Sequence, residues 1–377
     1  MPNNCRLCNN KLFSKPLLQL KGMPKAAQYF PEKKHFKSDK GISLKVYQCS
    51  GCGLVQLNAK PVDYFKQVIT AASLSGKSRT SRLDQMKEFV DKFGLRKKKI
   101  LEIGAGKGDM LDVLKEVGMD ATGIEGSKES VKTGRSFGRK MIDGYIGQMK
   151  KIKGSPFNAF VCFNYLEHLP NPDKVIKNIY NNTMSNAVGF VTVPNLEYLI
   201  KTKCFYEFVA DHLSYFTKKT LTYAFERNGF EVLDCQLINN YNDVAIKVRK
   251  REVLDIAKNF VEVKKLIKDL QQIIFDYKIK NKKVAVWGAG HRTLALLALA
   301  KLKDIEYVID SAKFKQGRFT PVNHLKIVPP ENLKKQEVDL VIVMVPGIYP
   351  EEVLKKLKEI NVKAKVALLQ GNKIKFI

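Results

Sequence analysis

Four of the seven cysteines in this 377-residue chain form two pairs with the same spacing. Cys5 and Cys8 enclose two residues, as do Cys49 and Cys52, and 40 residues (9–48) lie between the pairs. A two-residue spacer lets both thiolates of a turn face one ion, and four sulfurs complete the tetrahedral shell of a structural Zn²⁺. A redox-active dithiol is the alternative for one pair, but it does not account for two. We therefore predict a structural zinc site on these four cysteines.

A glycine-rich turn in the middle of the chain has the residue types of a nucleotide-binding loop. The turn consists of Gly104, Ala105, Gly106 and Gly108. The apolar run 99–103 precedes it, and residues 109–114, which have helical spacing, follow it. Strand, glycine turn and helix form the start of a doubly wound sheet. Glu102 stands two residues before the first glycine, where an acid suits the cationic amino end of S-adenosylmethionine better than a pyrophosphate.

A second acidic residue follows the next predicted strand. Glu125 comes directly after residues 121–124 and lies 17 residues after Gly108. A carboxylate at this strand end accepts hydrogen bonds from both hydroxyls of a ribose. NAD-binding domains use the same acid, so a dinucleotide is the alternative cofactor, but it requires a third glycine where this chain has Met110. We expect the glycine turn, Glu102 and Glu125 to bind S-adenosylmethionine.

A histidine in an aromatic-rich segment is the candidate catalytic base. His212 and its neighbour Asp211 lie within residues 205–217, beyond the predicted fifth strand at 188–193. A histidine among aromatic residues past the carboxyl end of a sheet suits a general base in an apolar cleft. The alternative is a structural histidine that caps the helix after Thr217. We predict that His212, together with Asp211, does the acid–base chemistry.

The loop after the fourth predicted strand adds a second recognisable motif. Residues 157–163 form that strand, and the loop continues through Leu166-Glu167-His168-Leu169-Pro170-Asn171-Pro172. Together with the glycine turn, this loop resembles class I methyltransferases, in which the corresponding loop often reads LEHxPxP. The resemblance implies that Asn164, Glu167 and His168 lie at the cofactor pocket. We interpret His168 as shaping that pocket rather than as reacting.

The strand, glycine turn and helix pattern recurs in the last third of the chain. Residues 283–287 lead into Gly288-Ala289-Gly290, a helix is predicted over 294–302, and Asp310 ends the next strand 20 residues after Gly290. This pattern predicts a second Rossmann-like half. Lys315 and Arg318 add cations that suit a diphosphate. Binding of a nucleotide and tight packing alone are both open readings of this second glycine turn.

The whole chain resembles the nucleotide-sugar C-methyltransferases, a family that carries a KQGR segment where this chain has residues 315–318. The resemblance implies an α/β fold with four parts. These parts are an N-terminal zinc-binding module (1–65), a central class I methyltransferase domain (66–250), a helical connector (251–280) and a C-terminal Rossmann-like domain (281–377). It implies S-adenosylmethionine as cofactor and a nucleotide sugar as substrate. We expect the substrate to contact Asn195, Tyr215, His291, Arg292, Lys315 and Arg318.

The same resemblance implies a reaction. In the family, a histidine in a Tyr-x-Glu-His segment is the base; His212 matches it, whereas Asp211 stands at the Glu and Val209 at the Tyr. A family tyrosine expected near the start of the methyltransferase domain has no counterpart, since residues 71–73 read Ala-Ala-Ser. The leading hypothesis is methylation of carbon 3 of a 4-keto-6-deoxyhexose through an enolate. Methylation of a sugar oxygen is the alternative.

Composition restricts the partners and the compartment. The formal net charge is +29, which favours anionic partners, but the lysines are dispersed as on a solvated surface. An RNA-methylating or nucleic-acid-binding protein is therefore the less favoured alternative, because no aromatic, basic platform accompanies the charge. The apolar runs are shorter than a membrane span, and the polar first 12 residues do not resemble a signal peptide. We expect a cytoplasmic protein.

Overall fold

The computed structural model describes residues 4–66, 74 and 76–377. The chain divides into two compact units, Met1–Glu252 and Val253–Ile377. Residues 71–73, where the family tyrosine is expected, lie outside the described residues.

The first unit begins with a small antiparallel sheet. Its strands are β1 (Leu18–Met23), β2 (Ile42–Gln48) and β3 (Val55–Leu57). Strand β2 pairs with both β1 and β3. The two cysteine pairs flank this sheet in the sequence, and β2 leads directly into the second pair. The sheet therefore supplies the strands that the long spacer between the pairs requires.

The rest of the first unit is a doubly wound domain. Its elements in chain order are α1 (Gly76–Phe93), β4 (Lys99–Ile103), α2 (Asp109–Glu116), β5 (Asp120–Glu125), α3 (Lys128–Ser136), β6 (Met141–Asp143), β7 (Phe157–Phe163), α4 (Pro172–Asn181), β8 (Thr183–Pro194), α5 (Leu196–Thr202), β9 (Ser214–Tyr215), α6 (Lys218–Glu226), β10 (Phe230–Ile238) and β11 (Asp243–Lys250). The described strands of its main sheet follow the order β10-β11-β8-β7-β4-β5-β6. Strands β4 to β8 pair in parallel, and β11 runs antiparallel to β8. Parallel strands place their carboxyl ends at one edge, where ligands bind in this architecture.

Local sequence signals explain the helices that border this edge. Ser127 caps α3 by accepting a hydrogen bond from the backbone N–H of Ser130, and Asn171 caps α4 ahead of Pro172. Both caps satisfy backbone donors that a helix start leaves unpaired. Strand β4 is buried from Ile100 to Ile103, as expected for a parallel strand covered by helices on both faces.

The zinc module is not a unit of its own. Strand β9, from the doubly wound domain, pairs with β3 and extends the small sheet. Cys5, Leu7 and Leu54 share a hydrophobic core with Phe160 of the central sheet. The predicted boundary at residue 65 lies within the first compact unit, in which the module shares a hydrophobic core with the central sheet.

The second unit is a smaller α/β sheet that follows a long helix. Its elements are α7 (Ile256–Lys278), β12 (Val284–Trp287), α8 (His291–Leu299), β13 (Tyr307–Ile309), β14 (Ile327–Val328), α9 (Asn332–Lys335), β15 (Leu340–Val343), α10 (Tyr349–Ile360), β16 (Lys365–Gln370) and β17 (Lys373–Phe376). The described strands follow the order β14-β13-β12-β15-β16-β17, with β17 antiparallel. The predicted α/β architecture with a second Rossmann-like half is confirmed.

Among the described residues, none of the helices combines the length and the apolar character that crossing a membrane requires.

Candidate active site

The four paired cysteines converge at one point of the first unit. The Sγ atoms of Cys5 and Cys52 lie 3.6 Å apart, and those of Cys8 and Cys49 lie 3.4 Å apart. All four sulfurs are within 4.8 Å of one another. A tetrahedral Zn²⁺ with Zn–S bonds near 2.3 Å separates its sulfurs by about 3.8 Å. The cluster therefore has the size and the donor set of a closed, structural zinc site.

Turn geometry prepares the sulfurs for a metal. The backbone N–H groups of Leu7 and Cys8 donate to Sγ of Cys5, and those of Gly51 and Cys52 donate to Sγ of Cys49. Such donors stabilise thiolate charge. The hydrogen bond with Cys52 lowers the pKa of Cys5 to about 5, whereas the same bond raises the pKa of Cys52 and burial raises that of Cys49. The thiolate is the form of cysteine that binds zinc.

The glycine turn lies at the carboxyl end of β4 in a conformation that suits glycine. Gly104, Gly106 and Gly108 have φ values of 72°, 53° and 87°. A Cβ on Gly104 would lie 2.6 Å from the ring of Tyr165. The backbone N–H of Gly106 donates to Oε2 of Glu125 at 2.9 Å. The acid at the end of β5 thus also fixes the turn that precedes α2.

Glu102 is a buried carboxylate that lacks a partner for one oxygen. Its side chain lies at the end of β4 and is 5% exposed, and its Oε2 atom has no hydrogen-bond partner among the described residues. Burial, and then the negative charges of Asp109 and Glu125, raise its pKa well above the usual range. A cation bound beside this carboxyl would favour its ionised form. S-adenosylmethionine carries an ammonium and a sulfonium, so the residues present fit that cofactor.

The loop after β7 and the segment before β9 bring two histidines together. The rings of His168 and His212 meet edge to face, with centroids 4.7 Å apart. Nδ1 of His168 lies 3.0 Å from the carbonyl oxygen of Asp211, and the backbone N–H of Leu213 donates to the carbonyl of Glu167. These contacts hold the two segments side by side. The predicted base, His212, therefore contacts the loop after β7, whose His168 lies 44 residues earlier in the sequence.

The environment keeps both imidazoles neutral and the neighbouring acid protonated. Burial, and then His168, lower the pKa of His212 to about 3. Burial also lowers the pKa of His168 and raises that of Glu167 to about 8. A ligand atom from each of the three side chains falls within 4.8 Å of the others. At neutral pH the cluster therefore presents an unprotonated imidazole beside a carboxylic acid.

Asp211 does not orient His212, contrary to the expectation of an acid–base pair. Its Oδ1 atom accepts a hydrogen bond from the hydroxyl of Tyr64 at 2.6 Å, and its Oδ2 atom accepts one from the backbone N–H of Ala27 at 2.7 Å. The carboxylate is 3% exposed and faces the zinc module, because successive side chains in this segment point in different directions. Its observed role is to hold that module against the segment that carries His212.

Two predicted substrate contacts are engaged within the protein. Asn195 caps α5 and also donates to the carbonyl of Tyr241. The buried hydroxyl of Tyr215 accepts a hydrogen bond from the backbone N–H of Val209 at 3.0 Å. Both side chains therefore support the backbone around the site. Thr217 itself caps α6 with a capping box, so His212 is not the cap of that helix.

Asn164 positions the strand ends around the site. It follows β7 with a φ of 44°, and its amide accepts a hydrogen bond from Thr192 and donates one to Asp243. Tyr64, in contrast, is a site residue that sequence reasoning missed. No motif marks it, and only its contacts with Asp211 and with the backbone of Gln28 show its role.

The second unit has a cavity at the ends of β12, β13 and β15. Its volume is about 660 Å³, and its basic lining residues are His291, Arg292, Lys315 and Lys356. Arg318 is exposed and lies outside that lining. Asp310 accepts hydrogen bonds from the backbone N–H of Ala289 and from Nζ of Lys315. Lys315 thus neutralises the acid at this strand end. Glu352 is the other acidic residue of the lining, so Arg292 and Lys356 leave a small positive excess, which suits an anion.

Comparisons with known proteins agree with this arrangement. Residues 78–234 match the methyltransferase domain family and residues 247–367 match the C-methyltransferase C-terminal domain family. C-methyltransferase NovU of Streptomyces niveus is 20% identical, and the alignment covers 93% of this chain and 91% of NovU. A ubiquinone biosynthesis O-methyltransferase of Xylella fastidiosa is 29% identical over 25% of this chain and 40% of its own length.

Among solved structures, the PH0226 protein of Pyrococcus horikoshii OT3 aligns with 50% of this chain and 99% of its own, with 13% identity and a TM-score of 0.42. The two domain matches follow each other in the order expected from the glycine turn, the post-strand loop and the second Rossmann-like half. The chain therefore combines a methyltransferase domain with a C-methyltransferase C-terminal domain, and this combination identifies it as an S-adenosylmethionine-dependent methyltransferase similar to NovU.

Proposed function

We propose that this enzyme methylates carbon 3 of a nucleotide-linked 4-keto-6-deoxyhexose, with His212 as the general base. The observation that carries the proposal is the buried, neutral imidazole of His212 in a chain with a C-methyltransferase C-terminal domain. The name of NovU, which aligns with 93% of the chain, supports transfer to carbon rather than to oxygen. The nucleotide-sugar substrate follows from the family resemblance and is supported by the basic cavity of the second unit.

The chemistry requires a base that is unprotonated at working pH. S-adenosylmethionine, when bound, supplies a methyl group on a positively charged sulfur. His212 removes the proton from carbon 3, which is acidic because it is adjacent to the ketone at carbon 4, and the substrate becomes an enolate. Burial lowers the pKa of His212 to about 3, so its imidazole is unprotonated across the neutral range, whereas a pKa nearer the working pH would make it a stronger base.

His168 and Glu167 support the base in this proposal. With Nδ1 of His168 held by the carbonyl of Asp211, the ring stays in one orientation against His212. Nε2 of His168 lies 3.9 Å from Oε1 of Glu167. A protonated Glu167 adds no negative charge beside the forming enolate. The cluster therefore avoids repulsion of the developing anion.

The second unit contributes phosphate binding in this proposal. Arg292 and Lys315 line its cavity together with the start of α8, and a helix start and cations both favour phosphate groups. Lys315 lies 2.9 Å from the carboxylate of Asp310, so the lysine and the acid form an ion pair at the edge of the cavity.

The proposal is tested by transfer of labelled methyl from S-adenosylmethionine to nucleotide-linked 4-keto and 4-hydroxy sugars, followed by NMR of the product. A new methyl on carbon 3 is expected. A methyl on oxygen would replace the enolate mechanism with O-methylation. An absence of transfer to every sugar, with transfer to RNA, would overturn the substrate class.

The role of His212 is tested by His212→Asn. We expect turnover to fall by roughly 10²–10⁴-fold, the range for loss of a general base, while affinity for S-adenosylhomocysteine stays within about twofold. His324→Asn, which changes a histidine of the second unit outside the cavity lining, is the control and should leave turnover unchanged. A His212→Asn enzyme with normal turnover would refute the assignment of the base.

A further inference from the structure

The proposed reaction gives no role to Arg82, a half-buried arginine near the carboxyl ends of the central strands. Arg82 lies on α1 on the same face as Met86 and Phe89, which are fully buried in the core. Positions spaced by four and seven residues share one face of a helix. The first turns of α1 therefore direct the guanidinium towards the sheet rather than into solvent.

The guanidinium rests against the end of β7. Its central carbon lies 4.3 Å from the centroid of the Phe163 ring, a cation–π distance, and Phe163 is the last residue of that strand. Its Nη1 atom donates to the neutral amide oxygen of Gln85 at 2.9 Å. Burial lowers the pKa of Arg82, and the nearby carboxylates of Asp243 and Glu102 oppose that shift.

Those two carboxylates have different surroundings. Asp243 accepts hydrogen bonds from the amides of Asn164 and Asn239, so its oxygens are already occupied. Glu102, at the end of the adjacent β4, keeps one oxygen without a partner among the described residues. Arg82, which contacts the end of β7, and Glu102, at the end of β4, therefore form no ion pair with each other among the described residues.

A separated cation and carboxylate match an α-amino acid group, which carries an ammonium and a carboxylate on one carbon. We infer that Arg82 binds the carboxylate of the methionine portion of S-adenosylmethionine, opposite Glu102, which takes the ammonium. Among the described residues, the guanidinium of Arg82 contacts a neutral amide and a ring face, and such a guanidinium retains donors for a bidentate carboxylate. This inference concerns the cofactor and does not depend on the sugar substrate.

The test is calorimetric binding of two ligands to the intact protein. S-adenosylhomocysteine carries the amino acid group, whereas 5′-methylthioadenosine has the adenosine and the thioether without it. We expect Arg82→Ala to weaken S-adenosylhomocysteine by roughly 10–100-fold, the range for loss of a charged hydrogen bond. Binding of 5′-methylthioadenosine should stay unchanged, and Arg82→Lys should restore part of the loss.

Arg79→Ala is the matched control, because Arg79 is on the same helix but pairs with Glu116 at the surface. It should change neither affinity by more than about twofold. Equal weakening of both ligands by Arg82→Ala would show that Arg82 only maintains the fold. Unchanged binding of S-adenosylhomocysteine would also overturn the inference. Neither result would bear on the methylated atom of the sugar.

Discussion

Glu167 shows how strongly burial sets the chemistry of a single residue. Its carboxyl is 2% exposed, and Oε2 has no hydrogen-bond partner among the described residues. Without a neighbouring cation, ionisation costs the full desolvation of the charge, and the pKa rises to about 8. The cofactor-loop motif thus places an acid that stays protonated at neutral pH next to His168.

A pH dependence of stability follows from Glu167. In the unfolded chain its carboxyl ionises near its ordinary pKa of 4.5, but in the folded protein its pKa is about 8. Between these values the folded state binds the extra proton, so this group lowers the free energy of unfolding as the pH rises. Glu167→Gln mimics the protonated acid. The variant should resemble the wild type at pH 5 and be more stable at pH 8, by a difference on the order of a few kcal/mol.

Urea unfolding at the two pH values measures this effect. Glu88→Gln is the control, because a hydrogen bond from Lys247 lowers the pKa of Glu88 below its ordinary value of 4.5, so its effect on stability should be nearly the same at pH 5 and pH 8. A stability difference between Glu167→Gln and the wild type that is the same at pH 5 and pH 8 would show that Glu167 is already ionised in the folded protein.

Asp211 links two structural elements instead of activating the adjacent histidine. Its oxygens receive the hydroxyl of Tyr64 and the backbone N–H of Ala27. In addition, Arg6, which lies between the first two cysteines, donates to the carbonyls of Ala59 and Pro170. The zinc module is therefore attached to both segments that carry the histidine cluster.

Substitution of Asp211 separates a structural from a catalytic carboxylate. We expect Asp211→Asn to retain turnover within about tenfold, because the amide oxygen still accepts from the backbone N–H of Ala27 and the hydroxyl of Tyr64 can turn to accept from the amide nitrogen. Asp211→Ala should lower the free energy of unfolding by about 1–3 kcal/mol, since buried donors lose their acceptor. Steady-state kinetics and urea unfolding of both variants measure this. A loss of more than roughly 10²-fold in turnover for Asp211→Asn, with wild-type stability, would restore the catalytic role.

Because the chain forms two compact units, we expect each unit to unfold in its own thermal transition. The cysteine cluster and the cofactor turn belong to Met1–Glu252, whereas the basic cavity belongs to Val253–Ile377. In scanning calorimetry of the full chain we expect two transitions. Removing zinc should lower the midpoint temperature of the first unit's transition only, because the cysteine cluster shares its core with the sheet of that unit. S-adenosylhomocysteine should raise that same transition by mass action.

Inorganic pyrophosphate is the complementary probe. It should bind in the cavity of the second unit and raise the midpoint temperature of that unit's transition. Lys315→Ala should abolish that shift without altering the response to S-adenosylhomocysteine. A single transition that both ligands raise equally would show that the two units unfold as one.

The local pattern of the chain contains the four clustered cysteines, the two glycine turns and the bounds of some strands. Strands β4 and β7 have their predicted bounds, Lys99–Ile103 and Phe157–Phe163. These features are readable because cysteine spacing, glycine conformation and apolar periodicity act over a few neighbouring residues.

Only the tertiary structure decided which side chains meet. Asp211 binds Tyr64 and Ala27 across 147 and 184 residues of sequence, and β9 joins the sheet of the zinc module. Such contacts depend on how separate elements pack, and no local period encodes them. Consequently the sequence identified His212 but paired it with its neighbour in the chain, whereas packing placed it against His168.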